Sequence, residues 1–279
     1  MKMPVISDMS PSNSSEYKSD LDESEFHRRR LLREKQKKDS VESSNPAVAL
    51  GMPLYNQTRY LPEALSSILA QTFRDFRLFV LDDSTDAGPQ AIIERFAARD
   101  DRIVYVKNKS RKGMVDNWKS CFQQAGGPAY FAWVSDHDVW HARWLESMVQ
   151  ALNANPAAVL VYPCWVSIDL AGRRQPKKKT FAFSTKGLNE AQKIRAICRE
   201  APKFGYMVYG LFRASALRRC GIFRRLLFPD AILAYELCLQ GEFIQVDEDL
   251  WFRRKNAAFS IARQKKSLFI RKPWYIYLP

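Results

Sequence analysis

The chain is poor in the residues on which metal and redox centres are usually built: 279 residues hold three histidines and five cysteines. The cysteines (Cys121, Cys164, Cys198, Cys220, Cys238) are odd in number and nowhere spaced C-x-x-C, so the signatures of a zinc knuckle and of a dithiol pair are missing. They read as reduced thiols of a cytoplasmic protein. No stretch reaches the ~20 apolar residues of a bilayer-crossing helix, and the opening MKMPVISDMSPSNSSEYKSD lacks the basic-then-apolar order of a secretion leader. Neither G-x-x-x-x-G-K-[ST] nor G-x-G-x-x-G occurs; GMPLYNQTRYL stands where a dinucleotide fingerprint would follow the first strand, which argues against P-loop and dinucleotide chemistry. Internal repeats are absent too.

Acidic residues are in deficit. Lys and Arg number 44 against 30 Asp and Glu, a formal net charge of +14. The imbalance is local: residues 1–46 hold nine of each sign, whereas 172–204 hold ten basic and two acidic residues and 251–273 hold eight and none. Such surfaces attract nucleic acid, anionic lipid and phosphorylated ligands by the same Coulombic physics, so charge alone does not choose among them. No nucleic-acid-binding motif supports the first of these.

What is present is apolar material for a core, a hydrophobic fraction of 46% with seven Trp and seventeen Phe. Residues 1–45 contribute little of it and read as a disordered, solvated extension. From Pro46 short apolar runs alternate with helical periods. AVAL (47–50), RLFVLDD (77–83), IVYVKN (103–108), YFAWVSD (130–136) and AVLVYP (158–163) predict buried strands. Leu61, Ala64, Leu65 and Ile68, then Ile92, Ile93 and Phe96, and Leu145, Met148, Val149 and Leu152 recur at helical spacing. The alternation predicts an α/β fold with a mixed, mostly parallel sheet between helices, whose ligands bind beyond the carboxyl ends of the strands. Residues 46–163 form one half of that domain and 164–263 the other. In the second half TFAFST predicts a strand, and NEAQKIRAICREA and FPDAILAYELCLQG predict helices, the latter with a Gly stop. The segment 264–279, SLFIRKPWYIYLP at its heart, is apolar, aromatic and basic: too short to span a bilayer, but suited to its surface or to docking on the domain.

Polar residues gather at the predicted strand ends: Pro53, Tyr55 and Asn56 after the first, Asp82 and Asp83 at the second, Asn108 to Gly113 after the third, Asp136 and Asp138 at the fourth. Two carboxylates one residue apart suit a hard cation, Mn²⁺ or Mg²⁺, whose shell a substrate phosphate completes. Asp138 alone is also an ordinary helix N-cap. A two-metal hydrolase built on D-H-D-x-x-H needs more histidines than this chain offers. The DDSTD run suits a nucleoside or a capped turn.

These residues resemble a known family. VALGMPLYNQTRYLPEALSSILAQTFRDFRLFVLDDSTD is similar to the opening of family 2 glycosyltransferases of the GT-A fold, matching at Tyr55, Asn56, Ser67, Gln71, Thr72, Asp82, Asp83, Ser84 and Asp86, and NKSRKGMVDNWKSCFQQAGGPAYFAWVSDHDVWHARWLESMV continues the likeness. The resemblance implies an inverting transfer of sugar from a nucleotide-diphosphate donor to a glycan or lipid-linked acceptor. It further implies that Pro53, Tyr55, Asn56, Asp82, Asp83, Gly113 and Asn117 hold the nucleotide and that Asp136 and Asp138 hold the cation. The usual D-x-D-D here reads S-D-H-D, with Ser135 at the first position, and Asp138 is expected as the direct metal ligand. Asp230, opening an apolar helix, is implied as catalytic base, with Glu236 in reserve; Arg253 or Arg254 in WFRRK is implied at the diphosphate. A cytoplasmic enzyme in peripheral contact with the inner face of the membrane, without nucleic acid as partner, fits this reading. The competing expectations are a noncatalytic basic protein binding nucleic acid or membrane, and a sugar nucleotidyltransferase, for which GMPLYNQTRYL lacks the Gly- and Arg-rich loop.

Overall fold

The structure is a computed structural model that describes residues 46–176, 182–200 and 204–255. The extension expected over 1–45, the segment 264–279 and the start of the TFAFST strand lie outside the described residues.

Eight strands form one sheet in the order β3-β2-β1-β4-β7-β6-β8-β5. The first half follows the predicted alternation: β1 (Val48–Leu54), α1 (Leu61–Leu69), β2 (Phe76–Asp82), α2 (Gly88–Ala97), β3 (Ile103–Lys107), α3 (Met114–Gln124) and β4 (Tyr130–Trp133). β1 is parallel to β2 and to β4, and β2 to β3. Their carboxyl ends therefore share one edge, and β1 lies where the order reverses, the place at which open sheets of this kind leave a crevice. Side chains alternate across the sheet with the two-residue strand period. Val48, Leu50 and Met52 enter one apolar layer with Ile68 and Leu145, whereas Phe131 and Trp133 of β4 enter the other with Phe122 and Leu233.

The second half runs β5 (Val139–Trp140), α4 (Trp144–Ala154), β6 (Ala158–Ile168), α5 (Glu190–Glu200), α6 (Phe204–Met207), β7 (Leu211–Arg213), α7 (Ala214–Arg218), α8 (Pro229–Cys238) and β8 (Glu242–Arg254). Two of these strands differ from the sequence expectation. β5 has only two residues, and β8 carries Asp247, Glu248 and Asp249 in a row between its apolar residues, a pattern that does not announce a strand. Long-range pairing makes it one: β8 lies parallel to β6 over most of its length and antiparallel to β5 at its end. In the described part of TFAFST, residues 182–185, there is no regular strand, although Thr185 N donates to Phe243 O at 2.9 Å.

Several residues of the opening motif serve this framework. Gln71, fully buried, donates through Nε2 to Ser67 O and His141 O and accepts Leu145 N, tying α1 to the turn before α4. Ser67 Oγ accepts Trp140 N at 3.2 Å. Both loops therefore hold a fixed height above the sheet edge.

Candidate active site

Asp83 follows β2 directly and is 5% exposed. Its Oδ1 accepts Lys112 N at 2.7 Å and Asn108 Nδ2 at 3.1 Å, and its Oδ2 accepts Gly113 N at 2.7 Å, so the carboxylate folds the loop after β3 back over the edge. Gly113 sits at φ +84°, a backbone state that side chains with a Cβ resist, and it opens α3. Asn117 is held by Leu81 O and by Asn108 Nδ2. Pro53 lies two residues past the last β4 partner, Gly51↔Trp133, so its missing N–H leaves no β4 ladder bond unmade.

The result is an open cleft of about 190 Å³ lined by Pro53, Leu54, Tyr55, Asp83, Arg111, Gly113, Met114, Asn117 and Trp118. Its walls are apolar and aromatic, and one carboxylate oxygen keeps a free lone pair at the edge. Tyr55 is exposed, with the Arg111 guanidinium 4.6 Å from its ring centre. Such a lining suits a planar base stacking on an aromatic side chain.

Two residues grouped with this cleft by sequence lie differently. Asp82 has no exposed surface; it accepts Ser84 N, Tyr105 Oη and Lys107 Nζ beneath the edge. Burial pushes its pKa up, but the Ser84 hydrogen bonds and the Lys107 and Tyr105 donors outweigh that and hold it below the usual carboxylate value. Asn56, at φ +51°, accepts Thr85 N at 2.9 Å and donates to Thr85 Oγ1, latching the loop after β1 to the one after β2. Neither side chain lines the cleft.

The fourth strand ends in the S-D-H-D turn. Ser135 Oγ accepts Asp138 N at 3.0 Å and shapes it. Asp138 is 2% exposed, and both its oxygens are engaged: Oδ2 by Trp251 Nε1 at 2.9 Å and Oδ1 by Arg254 N at 2.8 Å. It fastens the end of β8 to the turn. Asp136 is half-buried; its Oδ1 meets His137 Nδ1 at 2.6 Å. Burial opposes the His137 imidazolium, yet the Asp136 hydrogen bond and the charges of Asp136 and Asp138 raise its pKa above the ordinary value, with Arg254 acting against them. Among the described residues no group of three His, Cys, Asp or Glu side chains stands ready as a complete cage. A cation that keeps water and substrate phosphate in its shell needs only one or two protein carboxylates, and Asp136 is the one whose oxygens are not both taken by backbone or indole donors.

Of the two arginines at the end of β8, Arg254 is 2% exposed and holds Glu63 at 2.5 Å, His137 O at 2.9 Å and Asp169 O at 3.1 Å. Arg253 has no carboxylate partner among the described residues and lies over the rings of Tyr206 at 5.1 Å and Trp165 at 5.9 Å. Asp230 lies in the first turn of α8, after Pro229 and a left-handed Phe228. Burial raises its pKa, partly offset by the backbone N–H groups of the helix start. A Cβ on Gly205 would stand 3.2 Å from Asp230 Oδ2, which puts the carboxylate against α6. Glu236 lies elsewhere, accepting Gly221 N and Arg224.

Tyr209 joins these parts, and sequence reasoning missed it. It precedes β7, which runs antiparallel to β4, so the start of β7 stands beside the carboxyl end of β4. Gly210 lets the chain pass so close that a Cβ there would strike Val161 O. The Tyr209 ring packs on Trp251 at 4.9 Å and on Trp118 of the cleft at 5.8 Å. Its pKa is pushed well above the ordinary phenol value, first by burial, then by Asp138, Asp136 and Asp230, with Arg253 opposing. Its hydroxyl has no hydrogen-bond partner among the described residues. The only sequence signal was a Tyr-Gly pair before an apolar run.

Comparison with known proteins gives a family match: the model described as glycosyl transferase family 2 covers residues 50–221. The chain is 33% identical over 112 residues to the putative glycosyltransferase EpsE of Bacillus subtilis, 40% of each chain. It is 26% identical over 173 residues, 62% of this chain and 53% of the relative, to a Campylobacter jejuni protein named GalNAc(5)-diNAcBac-PP-undecaprenol beta-1,3-glucosyltransferase. It thus spans about half or less of these relatives. Among solved structures, S. aureus TarS 1-349 in complex with UDP-GlcNAc superposes with a TM-score of 0.62 at 15% identity, covering 77% of this chain and 60% of that one. The mannosyltransferase PcManGT of Pyrobaculum calidifontis, in complex with GDP-Man and Mn²⁺, gives 0.56 at 16% identity, covering 88% and 71%. At these identities the likeness establishes the fold.

Proposed function

This chain belongs to glycosyl transferase family 2, and from that premise we propose that it moves a sugar from a nucleotide-diphosphate donor to an acceptor hydroxyl with inversion at the anomeric carbon. The observation that carries the proposal is the aromatic cleft at the strand edge, bordered by Asp83, with Tyr209 packing both on Trp118 of that cleft and on Trp251, whose indole holds Asp138 in the turn that also carries Asp136.

The base enters the cleft against Tyr55 and Trp118, where the second lone pair of Asp83 Oδ2 is free to accept a ring N–H. The diphosphate then runs toward Tyr209, whose hydroxyl is free to donate, and toward the guanidinium of Arg253. A divalent cation, when bound, neutralises charge developing on the leaving diphosphate; Asp136 is the residue that would hold it, with Asp138 fixing the turn. Asp230, its pKa raised toward the range of a useful base, takes the acceptor proton as the acceptor oxygen bonds to the anomeric carbon and the bond to the diphosphate breaks. The name of the Campylobacter relative supports a lipid-diphosphate-linked glycan as acceptor, and the TarS complex supports a UDP-sugar as donor.

Thermal denaturation with UDP, GDP and their sugars, with and without Mn²⁺, tests the reading. A ligand that binds only the folded state raises the melting temperature, by the equivalent of about 2.7 kcal/mol at a hundred times its Kd. A metal-enhanced shift with one nucleotide class is expected. No shift with any of them, at millimolar ligand, would overturn the proposal.

A further inference from the structure

The helix that carries Asp230 is apolar on both sides. Leu233, Ala234, Leu237 and Cys238 of α8 are buried in the core, as a surface helix requires. The opposite side is where polar residues belong, yet it presents Phe228 (44% exposed), Tyr235 (38%) and Leu239 (57%), with Ile232 half-buried between them. Positions 228, 232, 235 and 239 form a single helical stripe. Leu226 (41% exposed) extends it ahead of the helix, and Ile194 (40%) stands on α5, which packs beside α8. Single exposed apolar side chains are ordinary on protein surfaces; a continuous stripe is not.

Basic residues border the stripe. Arg219 Nε donates to Gln240 Oε1 at 2.6 Å, and Arg224 Nε donates to Glu236 Oε1 at 3.0 Å, so the connection between α7 and α8 lies along the helix. Arg218, and Arg199 on α5, have no carboxylate partner among the described residues. Residues 182–200 and 204–240 together hold nine Lys or Arg against four Asp or Glu. An apolar helix face flanked by arginines is the pattern of a helix lying in the plane of an anionic membrane surface, apolar side chains at the acyl boundary and cations at the phosphates.

We propose that the outward face of α8, with Leu226 and the flanking arginines, docks this protein on an anionic lipid surface, with Asp230 on the inward side of the same helix, about one helix diameter (~10–12 Å) from the boundary at which a lipid-linked acceptor enters. The role given to Asp230 rests on the glycosyl-transfer reading above; the docking surface does not.

The test is co-sedimentation of the full chain with phosphatidylglycerol-containing and pure phosphatidylcholine vesicles, for the wild type and for the triple variant L226S/Y235S/L239S. The wild type is expected on the anionic vesicles, less so as salt rises, and the variant at least about tenfold weaker, with its nucleotide-induced melting shift unchanged. Equal binding by wild type and variant, or no wild-type binding, would refute the docking surface. So would a wild-type dimer, seen by ultracentrifugation, that the triple substitution turns into monomer, since the stripe would then be a self-association surface. Vesicle binding that persists while no nucleotide shifts the melting temperature would instead refute the glycosyl-transfer reading and leave the docking surface standing.

Discussion

Replacing Asp138 with alanine should damage the fold more than the metal site, and replacing Asp136 should do the reverse. Asp138 is 2% exposed, and its removal strips the acceptor from two buried donors, the Trp251 indole N–H and the Arg254 amide. Leaving a buried donor unsatisfied costs about 1–3 kcal/mol, so the two together amount to about 2–6 kcal/mol. For a chain of this size each kcal/mol lowers the melting temperature by about 2–4 °C, which predicts a fall of about 4–24 °C. Asp138→Asn should fall between the extremes, because its amide can accept from one donor but turns an N–H against the other. Asp136 is half-buried and meets only the His137 ring, so Asp136→Ala should cost about 1 kcal/mol or less while lowering transfer about a hundredfold or more, through lost charge stabilisation at the diphosphate. Urea denaturation and calorimetry give the first quantity, and donor turnover as a function of Mn²⁺ gives the second. If Asp138→Ala melts with the wild type and loses Mn²⁺ dependence while Asp136→Ala turns over normally, the reasoning fails and the metal contact belongs to Asp138.

Two other outcomes follow from the same geometry. Because burial raises the Asp230 pKa, its folded-state value lies above the unfolded one; the stabilising contribution of the protonated form is complete below the unfolded pKa and lost as pH rises through the folded one. Asp230→Asn should therefore be as stable as the wild type or more so at neutral pH, yet abolish transfer, and wild-type kcat should rise with pH through that raised value; a flat acid limb in the rate profile, or an active Asn variant, contradicts a base role. Tyr209→Phe should keep the ring packing on Trp251 and Trp118 and lose only the hydroxyl, lowering kcat/KM about tenfold with a melting temperature within about 2 °C of wild type; unchanged kinetics would show that the phenol does not meet the donor.

The first half of the domain was legible because its signals are local. β1, β2 and β4 are apolar runs buried on both faces and β3 is a partly buried edge strand; amphipathic helices separate them, and the polar residues at their ends fall on one edge whatever the details of packing. The family likeness rests on this part, and the matched residues begin at Leu50. β8 was not legible. Its acidic residues and mixed burial become a strand only because β6 and β5 flank it, pairings such as Ala158↔Glu242 and Val139↔Phe252 that join residues far apart in the chain.

By itself, then, the sequence determined the fold class, the edge on which the motif residues gather and the family, since strand and helix periods and the order of motifs are properties of neighbours along the chain. Which member of each pair does what was left to tertiary structure. Asp83 borders the cleft while Asp82 is buried beneath it; Asp136 keeps a partly exposed carboxylate while Asp138 fastens β8; Arg253 meets no carboxylate among the described residues while Arg254 clasps Glu63. Asp82 and Asp83, like Arg253 and Arg254, are neighbours at a strand end and point opposite ways, whereas Asp136 and Asp138 stand two positions apart in a turn; in each case the choice is made by the donors and acceptors that other elements bring across the fold.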